Sequence, residues 1–143
     1  MPYSPLLVRP MREELTSAGV KELLTAQDVD AFMAEKSGTA MLIVNSVCGC
    51  AAGMARPAVR LALQHDRRPD RVVTVFAGQD LEATARARSY FPDIPPSSPS
   101  IAFLKDGELV GFIPRHRIES RSADALASDM TSLFNEHCAV PAG

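Results

Sequence analysis

The sequence predicts an α/β fold in which a central mixed four-stranded sheet is flanked by helices. Two strand patterns, 39–45 and 71–77, are separated by a helical pattern, and a helical crossover of this kind joins parallel strands. Two further strand patterns are joined by Asp106-Gly107, a strong signal for an antiparallel hairpin. A chain of 143 residues is long enough to bury this sheet in one domain.

Helical patterns precede the first strand, so we expect extra N-terminal helices. A short helix fits Pro10 to Ala18, because proline suits the first turn of a helix and Gly19 suits its end. A second helix begins at a cap near Thr25 and ends at Ser37-Gly38. The expected boundaries are a helical extension over about 8–24 and a core over about 25–137, within a single domain of 1–143.

The first strand, from Thr39 to about Asn45, runs through apolar residues, which is typical of a strand buried on both faces. An alanine-rich helix follows over 51 to about 64, and Pro57 inside it should remove one backbone hydrogen bond and kink the helix. The remaining elements are a strand at 71–77, a helix capped by Asp80 that runs to about Tyr90, a proline-rich loop over 91–99, strands at 100–105 and 108–113, a last helix over about 122–136 and a tail at 140–143 that should fray.

Composition and charge exclude several function classes. The net charge of −2 argues against nucleic acid or an anionic membrane as the main partner. No stretch approaches the ~18 apolar residues of a membrane span, and the first ten residues lack the features of a signal peptide. We therefore expect a cytoplasmic protein. Three cysteines are too few, and odd in number, for a structural disulfide framework.

Cys48-Gly49-Cys50 lies where the first strand ends and the alanine-rich helix begins. A helix N-terminus presents free N–H groups and the positive end of the helix dipole, and both stabilise a thiolate. The thiolate is the form of cysteine that attacks disulfides or binds metals. The motif therefore predicts redox chemistry or a metal site, and we favour redox chemistry.

The predicted topology collects polar groups near these cysteines. If the first hairpin strand runs against the parallel strands, its start lies at their carboxyl edge, where open α/β sheets bind ligands. The groups expected at this edge are Cys48, Cys50, Gln79, Asp80, Ser98, Pro99 and, more loosely, Arg115 and His116.

Four segments carry a resemblance to a known family. They are Asn45-Ser46-Val47-Cys48-Gly49-Cys50-Ala51-Ala52-Gly53, Val75-Phe76-Ala77-Gly78-Gln79-Asp80, Pro96-Ser97-Ser98-Pro99-Ser100 and Phe112-Ile113-Pro114-Arg115-His116. These segments resemble the bacilliredoxins, thioredoxin-like bacterial proteins with a Cys-Gly-Cys site, and the likeness extends over nearly the whole chain. The predicted strand order is also the layout of a thioredoxin-like fold.

The resemblance implies thiol–disulfide exchange that removes bacillithiol from mixed disulfides on oxidised proteins. Some members of the family also resemble weak disulfide isomerases. The implied partners are bacillithiolated client proteins, a low-molecular-weight thiol and a disulfide reductase for recycling. No cofactor is implied, because the redox-active pair Cys48 and Cys50 carries the electrons and bacillithiol is a substrate.

The two motif cysteines are expected to have different roles. Residues two apart on a regular helix point to nearly opposite sides, so a bond between them requires Cys48 outside the helix and a flexible Gly49. Cys48 is then the exposed nucleophile, and Cys50 is the resolving thiol. By resemblance to thioredoxin-like folds, Pro99 is expected to be a cis-proline that turns the Ser98 backbone towards the incoming sulfur.

Three further residues are candidates for substrate binding. Arg115 and His116 suit a thiolate or a carboxylate of the thiol substrate, or they simply end the hairpin at the surface. Gln79 is the third candidate, and its alternative role is to cap a helix together with Asp80.

The alternative function is a metal- or iron–sulfur-binding module that uses Cys48, Cys50 and Cys138. Such a site needs further ligands that converge on the metal at ~2.0–2.3 Å, and His137 lies beside Cys138. In the redox interpretation Cys138 is a bystander or a second resolving thiol. The distance of Cys138 from Cys48 separates these interpretations.

Overall fold

The computed structural model of the chain describes residues 2–139. Within this range, five strands form one sheet and six α-helices accompany it. The strands are β1 Lys21–Glu22, β2 Thr39–Asn45, β3 Arg71–Phe76, β4 Ser100–Lys105 and β5 Glu108–Ile113. The helices are α1 Pro5–Thr16, α2 Ala26–Ala34, α3 Arg56–Ala62, α4 Leu81–Ser89, α5 Arg115–Glu119 and α6 Ala123–His137, with a π-helical turn at Ala51–Ala55 immediately before α3.

The sheet is mixed, and its strand order is β1-β3-β2-β4-β5. The strands β1, β3 and β2 are parallel, whereas β4 runs antiparallel to β2 and β5 runs antiparallel to β4. The predicted mixed α/β architecture is confirmed, but the sheet has one strand more than the four expected. The extra strand β1 is only two residues long, which is too short for an alternating pattern to be visible in the sequence.

The sheet separates two apolar layers, and β2 contributes to both because it is buried along its whole length. On one face, Met41 and Ile43 pack with α3, α6 and the end of α1. On the other face, Leu42 and Val44 pack with α2 and α4. Because successive side chains of a strand point to opposite faces, these alternating residues make β2 the centre of the fold.

Helix α1 begins earlier than predicted. Ser4 is its N-cap, its side chain accepts a hydrogen bond from Leu6 N, and Pro10 lies inside the helix rather than at its start. Pro10 has no N–H for the helix ladder, but the cap and the burial of Val8 and Leu15 against the core hold the longer helix.

The helix after the cysteines is irregular in its first turns. The predicted disturbance at Pro57 is present as the π-helical turn at Ala51–Ala55, in which the N–H of Arg56 bonds to the carbonyl of Ala51. Proline at position 57 cannot donate to the preceding turn and its ring crowds the carbonyl of Gly53. A wider turn relieves this crowding.

Asp80 occupies the N-cap position of α4, but its side chain does not cap the helix as expected. Arg12 of α1 takes the carboxylate in two bonds, of 2.8 Å from Nη1 and 2.9 Å from Nη2, and also pairs with Glu22. A bidentate charged pair is stronger than a single cap bond to a neutral N–H. Asp80 therefore fastens α1 to the end of β3.

Two further expectations concern membrane spans and the C-terminal tail. Among residues 2–139, no helix combines the length and apolar character that crossing a membrane requires. The expected fraying of 140–143 lies outside the described residues.

Candidate active site at the carboxyl edge of the sheet

The predicted candidate residues follow or precede strand ends that meet at one edge of the sheet. Asn45 at the end of β2 is in register with Phe76 at the end of β3. Because β4 is antiparallel to β2, its first residue, Ser100, pairs with Val44, and Ile101 pairs with Ile113 at the end of β5. The loops that carry the cysteines, Gln79, Pro99 and Arg115 therefore all leave the sheet at its carboxyl edge, as the topology predicted.

The two motif thiols are adjacent but differ in exposure. Cys48 is half-buried and lies just before the helical turn that starts at Gly49, whereas Cys50 is only 8% exposed. Their Sγ atoms are 2.7 Å apart and both thiols are free. The more accessible thiol, Cys48, can meet a substrate, and the buried Cys50 thiol lies within reach of it.

The pKa values of the two thiols move in opposite directions. The hydrogen bond from the Cys50 thiol lowers the pKa of Cys48, with further contributions from the Cys50 N–H, the charge of Arg115 and the Ala51 N–H. Burial raises the pKa of Cys50, and the hydrogen bond to Cys48 and the charge of the Cys48 thiolate raise it further. The helix N–H groups thus assist as predicted, but the neighbouring thiol has the largest effect.

Gly49 does not adopt the unusual backbone that was expected of it. It is helical, its φ is not positive, and a Cβ added there would meet no atom within 4 Å. The dithiol state therefore places no steric demand for glycine at this position, because Cys48 already lies outside the helix.

The charge of Arg115 lowers the pKa of both motif thiols. Arg115 is the first residue of α5, and its pKa is raised by Cys48 first, then by Cys50 and by a hydrogen bond to Glu119. Its Nε lies 3.4 Å from Glu119 Oε2, and both side chains are about half exposed, at 48% and 50%. Arg115 is therefore available to a ligand that approaches Cys48.

The loop before β4 joins the cysteine side of the site to α5. The Ser98–Pro99 peptide bond is cis. The Ser97 hydroxyl accepts a hydrogen bond from Arg115 N at 3.3 Å, and the Ser97 carbonyl accepts one from Ser100 Oγ at 3.0 Å. Ser97 thereby holds the start of α5 against the proline loop, a function that sequence reasoning missed because serine is common in any loop.

The other candidate residues have contacts of their own. The side-chain oxygen of Gln79 accepts a 2.7 Å hydrogen bond from the N–H of Tyr3, so the N-terminal segment occupies it. His116 is exposed on α5, and its carbonyl accepts a bond from Ser120 Oγ. The expected substrate-binding roles of Gln79 and His116 remain predictions.

Cys138 lies at the opposite edge of the sheet. Burial raises its pKa, and the groups that also influence it include Thr39, Asp70 and Lys105. Thr39 begins β2 and pairs with Lys105 at the end of β4, so about 20 Å of strand separates Cys138 from the motif cysteines. Cys138 therefore cannot share a metal with Cys48 and Cys50, and the three-cysteine metal site proposed as an alternative is wrong. No group of three or more histidine, cysteine or acidic side chains within residues 2–139 is arranged to hold a metal ion.

Sequence reasoning also missed Arg56. Its side chain is 2% exposed and bonds to Asn45 and Ser46, directly before the motif. The available signal was a charge in the alanine-rich helix, since Arg56 is the sole charged residue between positions 51 and 59.

Comparisons with known proteins identify the family of this chain. Residues 3–138 match the model of the protein family Disulphide isomerase. The chain is 57% identical to a bacilliredoxin of Shouchella clausii over 95% of this chain and 94% of that protein. It is 53% identical to a bacilliredoxin of Halalkalibacterium halodurans, with the same coverage of both chains.

Solved structures show the fold. Mitochondrial thioredoxin 3 of Saccharomyces cerevisiae, in its oxidised form, superimposes with a TM-score of 0.57 at 15% identity and covers 86% of this chain and 98% of its own. The fold is therefore thioredoxin-like. With a paired exposed and buried thiol at the carboxyl edge of such a fold, and with relatives of this identity over nearly its whole length, the chain is a thiol–disulfide oxidoreductase that belongs to the bacilliredoxin family.

Proposed function

We propose that this protein removes bacillithiol from mixed disulfides on oxidised client proteins. The bacilliredoxin name of its relatives supports the choice of thiol. The single observation that carries the mechanism is the asymmetric pair of thiols, with their Sγ atoms 2.7 Å apart and with Cys48 more acidic than Cys50.

In the first step, the Cys48 thiolate attacks the bacillithiol sulfur of the mixed disulfide. A bond forms between Cys48 and bacillithiol, the bond between bacillithiol and the client breaks, and the client cysteine leaves as a thiolate. The lowered pKa of Cys48 supplies the thiolate that this step needs. One disulfide replaces another, so no electrons are gained or lost overall.

In the second step, Cys50 loses its proton to solvent and attacks the sulfur of Cys48. The Cys48–Cys50 disulfide forms and bacillithiol leaves as a thiolate. A second low-molecular-weight thiol is the alternative resolving agent at this point. A disulfide reductase then supplies the two electrons that return the pair to the dithiol, so the cycle requires no bound cofactor. We place this cycle in the cytoplasm, where thiols are kept reduced.

Arg115 is the residue that we assign to substrate recognition. A guanidinium whose charge acts on Cys48 suits a carboxylate of the incoming thiol and also stabilises the thiolate. His116 lies next to it in α5. Ser98 and Pro99 directly precede β4, whose first residue, Ser100, is in register with Val44. We propose that the Ser98 backbone aligns the chain that carries the mixed disulfide.

The test uses a client protein with one bacillithiolated cysteine and follows the masses of both proteins. Wild-type protein should release the free client, Cys48→Ser should release none, and Cys50→Ser should accumulate a bacillithiol adduct on Cys48. The matched substrate is the same client modified with glutathione. Transfer to Cys50 in the Cys48→Ser variant would reverse the roles, and equal rates on both clients would refute bacillithiol specificity.

Weak disulfide isomerase activity is a second candidate, because the matched family carries that description. Isomerisation requires a thiolate that attacks a wrong disulfide and is expelled again, so Cys48 alone suffices. Reactivation of a scrambled disulfide protein should then survive Cys50→Ser and disappear in Cys48→Ser. Loss of reactivation in both variants would exclude a route through Cys48 alone.

A further inference from the structure

The guanidinium of Arg56 is buried next to Asn45 and Ser46, the segment that precedes the cysteine motif. Arg56 begins α3, and at 2% exposure it is among the most deeply buried large side chains of the described residues. A charge that is buried to this extent requires partners, and substitution of the charged side chain leaves those partners without their hydrogen bonds. The partners of Arg56 therefore indicate what it holds in place.

Arg56 joins three segments that are remote in the sequence. Its Nε donates to Glu14 Oε2 of α1 at 2.5 Å. Its Nη1 donates to Asn45 Oδ1 at 3.0 Å and to the carbonyl oxygen of Ser46 at 2.7 Å. One planar group thus connects α1, the end of β2 and the start of α3, and a guanidinium suits this task because its donors have fixed directions.

The bonds continue from Arg56 to the nucleophile. Asn45 Oδ1 also accepts from Ser46 N at 2.9 Å, and Asn45 Nδ2 donates to the carbonyl of Met11 at 3.3 Å. The hydroxyl oxygen of Ser46 then accepts from the N–H of Cys48 at 2.9 Å. The backbone of Cys48 is therefore two hydrogen-bonded links away from Arg56.

We propose that Arg56 is a positioning residue for thiol–disulfide exchange, which holds the segment Asn45–Ser46 so that Cys48 remains within reach of Cys50. The inference rests on the redox role of the cysteine pair but not on the identity of the thiol substrate. Arg56 touches neither thiol in this network, and the arginine charge that favours the Cys48 thiolate is that of Arg115. Arg56 therefore acts through geometry.

A suitable control lies one turn further along the same helix. Arg60 also fastens α1 to α3, because its Nη1 donates to the carbonyl of Glu14 and to Ser17 Oγ, both at 2.8 Å. It has no bond to Asn45 or Ser46 and is exposed. Arg60→Met removes an arginine that joins the same two helices without disturbing the segment Asn45–Ser46.

The experiment equilibrates Arg56→Met, Arg60→Met and wild-type protein with glutathione and its disulfide. The protein disulfide and two glutathione thiols exchange with the protein dithiol and one glutathione disulfide, and mass spectrometry after acid quenching measures the ratio. In Arg56→Met, we expect the equilibrium constant for formation of the Cys48–Cys50 disulfide to be roughly tenfold smaller, because a displaced Cys48 has a lower effective concentration at Cys50. Its Cys48 pKa should also rise because the hydrogen bond from Cys50 weakens. Arg60→Met should match wild type in both.

A second variant keeps the test decisive if Arg56→Met does not fold. Ser46→Ala removes the hydroxyl oxygen that accepts the hydrogen bond from Cys48 N, and it should shift the glutathione equilibrium in the same direction by a smaller factor. Arg56→Lys retains a charge but not the several fixed donors of arginine. Its equilibrium constant for disulfide formation should therefore lie between those of Arg56→Met and wild type. The inference is overturned if folded Arg56→Met, or Ser46→Ala in its place, keeps the wild-type equilibrium and the wild-type Cys48 pKa. Failure of wild-type protein on bacillithiolated clients would refute the proposed function, whereas the glutathione equilibrium would still test Arg56.

Discussion

The hydrogen bond between the thiols of Cys48 and Cys50, with 2.7 Å between the sulfur atoms, acts on the two residues in opposite ways. It favours the thiolate of Cys48 and the protonated form of Cys50. The two therefore titrate as a pair. Once a substrate sulfur is bound to Cys48, the negative charge beside Cys50 is gone, and part of what raised the Cys50 pKa disappears. The resolving thiol thus becomes easier to ionise at the stage where it must attack.

We predict that the residue at position 50 controls the acidity of Cys48. Cys50→Ala removes the thiol that donates to Cys48, whereas the hydroxyl of Cys50→Ser can still donate. The pKa of Cys48 should therefore be higher in Cys50→Ala than in Cys50→Ser. Ultraviolet absorbance of the thiolate, recorded against pH with Cys48→Ser added to each variant as its blank, measures both values.

The sign of the pH dependence follows from this pKa. Below the pKa of Cys48, the thiolate fraction and the rate of the first exchange step should fall about tenfold for each unit of pH. The fall should begin at a higher pH in Cys50→Ala than in Cys50→Ser. Identical profiles in the two variants would mean that the helix N–H groups and Arg115, and not the residue at position 50, control the acidity.

We predict a moderate and salt-dependent role for Arg115. Arg115→Ala should raise the pKa of Cys48 and slow its reaction with an anionic disulfide a few-fold, because an exposed charge is screened by water and salt. Arg117→Ala is the matched control, since Arg117 is exposed on the same helix and its Nη1 bonds to the carbonyl of Phe112.

Rates measured at low and high ionic strength give the decisive comparison for Arg115. Added salt should slow wild-type protein and Arg117→Ala more than Arg115→Ala. If all three respond equally to salt, the charge of Arg115 does not act on the reaction.

We predict that Cys138 is chemically silent in the folded protein. Its thiol is 6% exposed and burial raises its pKa, so an aromatic disulfide reagent should modify it only after denaturation. Native protein should release two equivalents of the reagent's thiol rapidly, because Cys50 lies 2.7 Å from Cys48 and displaces the reagent once Cys48 has reacted, and a third equivalent only in denaturant. Cys138→Ser should leave exchange unchanged and lower the free energy of unfolding by about 1 kcal/mol, because it buries a hydroxyl. A rapid third thiol would place Cys138 in the reactive set.

We predict that Gly107 is required for stability rather than for chemistry. Asp106 and Gly107 have φ of 51° and 83°, and a Cβ on Gly107 would lie 2.9 Å from Cγ of Lys36. Gly107→Ala should lower the free energy of unfolding by about 1–2 kcal/mol, measured by urea denaturation. Gly53→Ala is the control, because no atom within 4 Å would meet its Cβ and it should be neutral or slightly stabilising. Equal effects of both substitutions would contradict the strain argument.

Much of the fold followed from short-range patterns in the sequence. The apolar run of β2, the Asp106-Gly107 turn and the position of the motif between strand and helix each depend on a few neighbouring residues. The carboxyl-edge arrangement followed from topology, since parallel β2 and β3 with an antiparallel β4 can bring their loops together only at that edge. The short β1 carried no such pattern.

By itself, the sequence determined the four longer strands in their order along the chain and the position of the Cys-Gly-Cys motif between a strand and a helix, because these depend on local backbone preferences. Only the tertiary structure decided the pairings between remote residues. Arg56 meets Glu14 across 42 positions and Arg12 meets Asp80 across 68. A helix predicted as an N-terminal extension therefore supports the site, and a predicted helix cap forms an ion pair instead. Such pairings depend on how the layers pack, and no local period encodes them. The same packing separates Cys138 from Cys48 by the length of β2, a separation that residue spacing along the chain could not reveal.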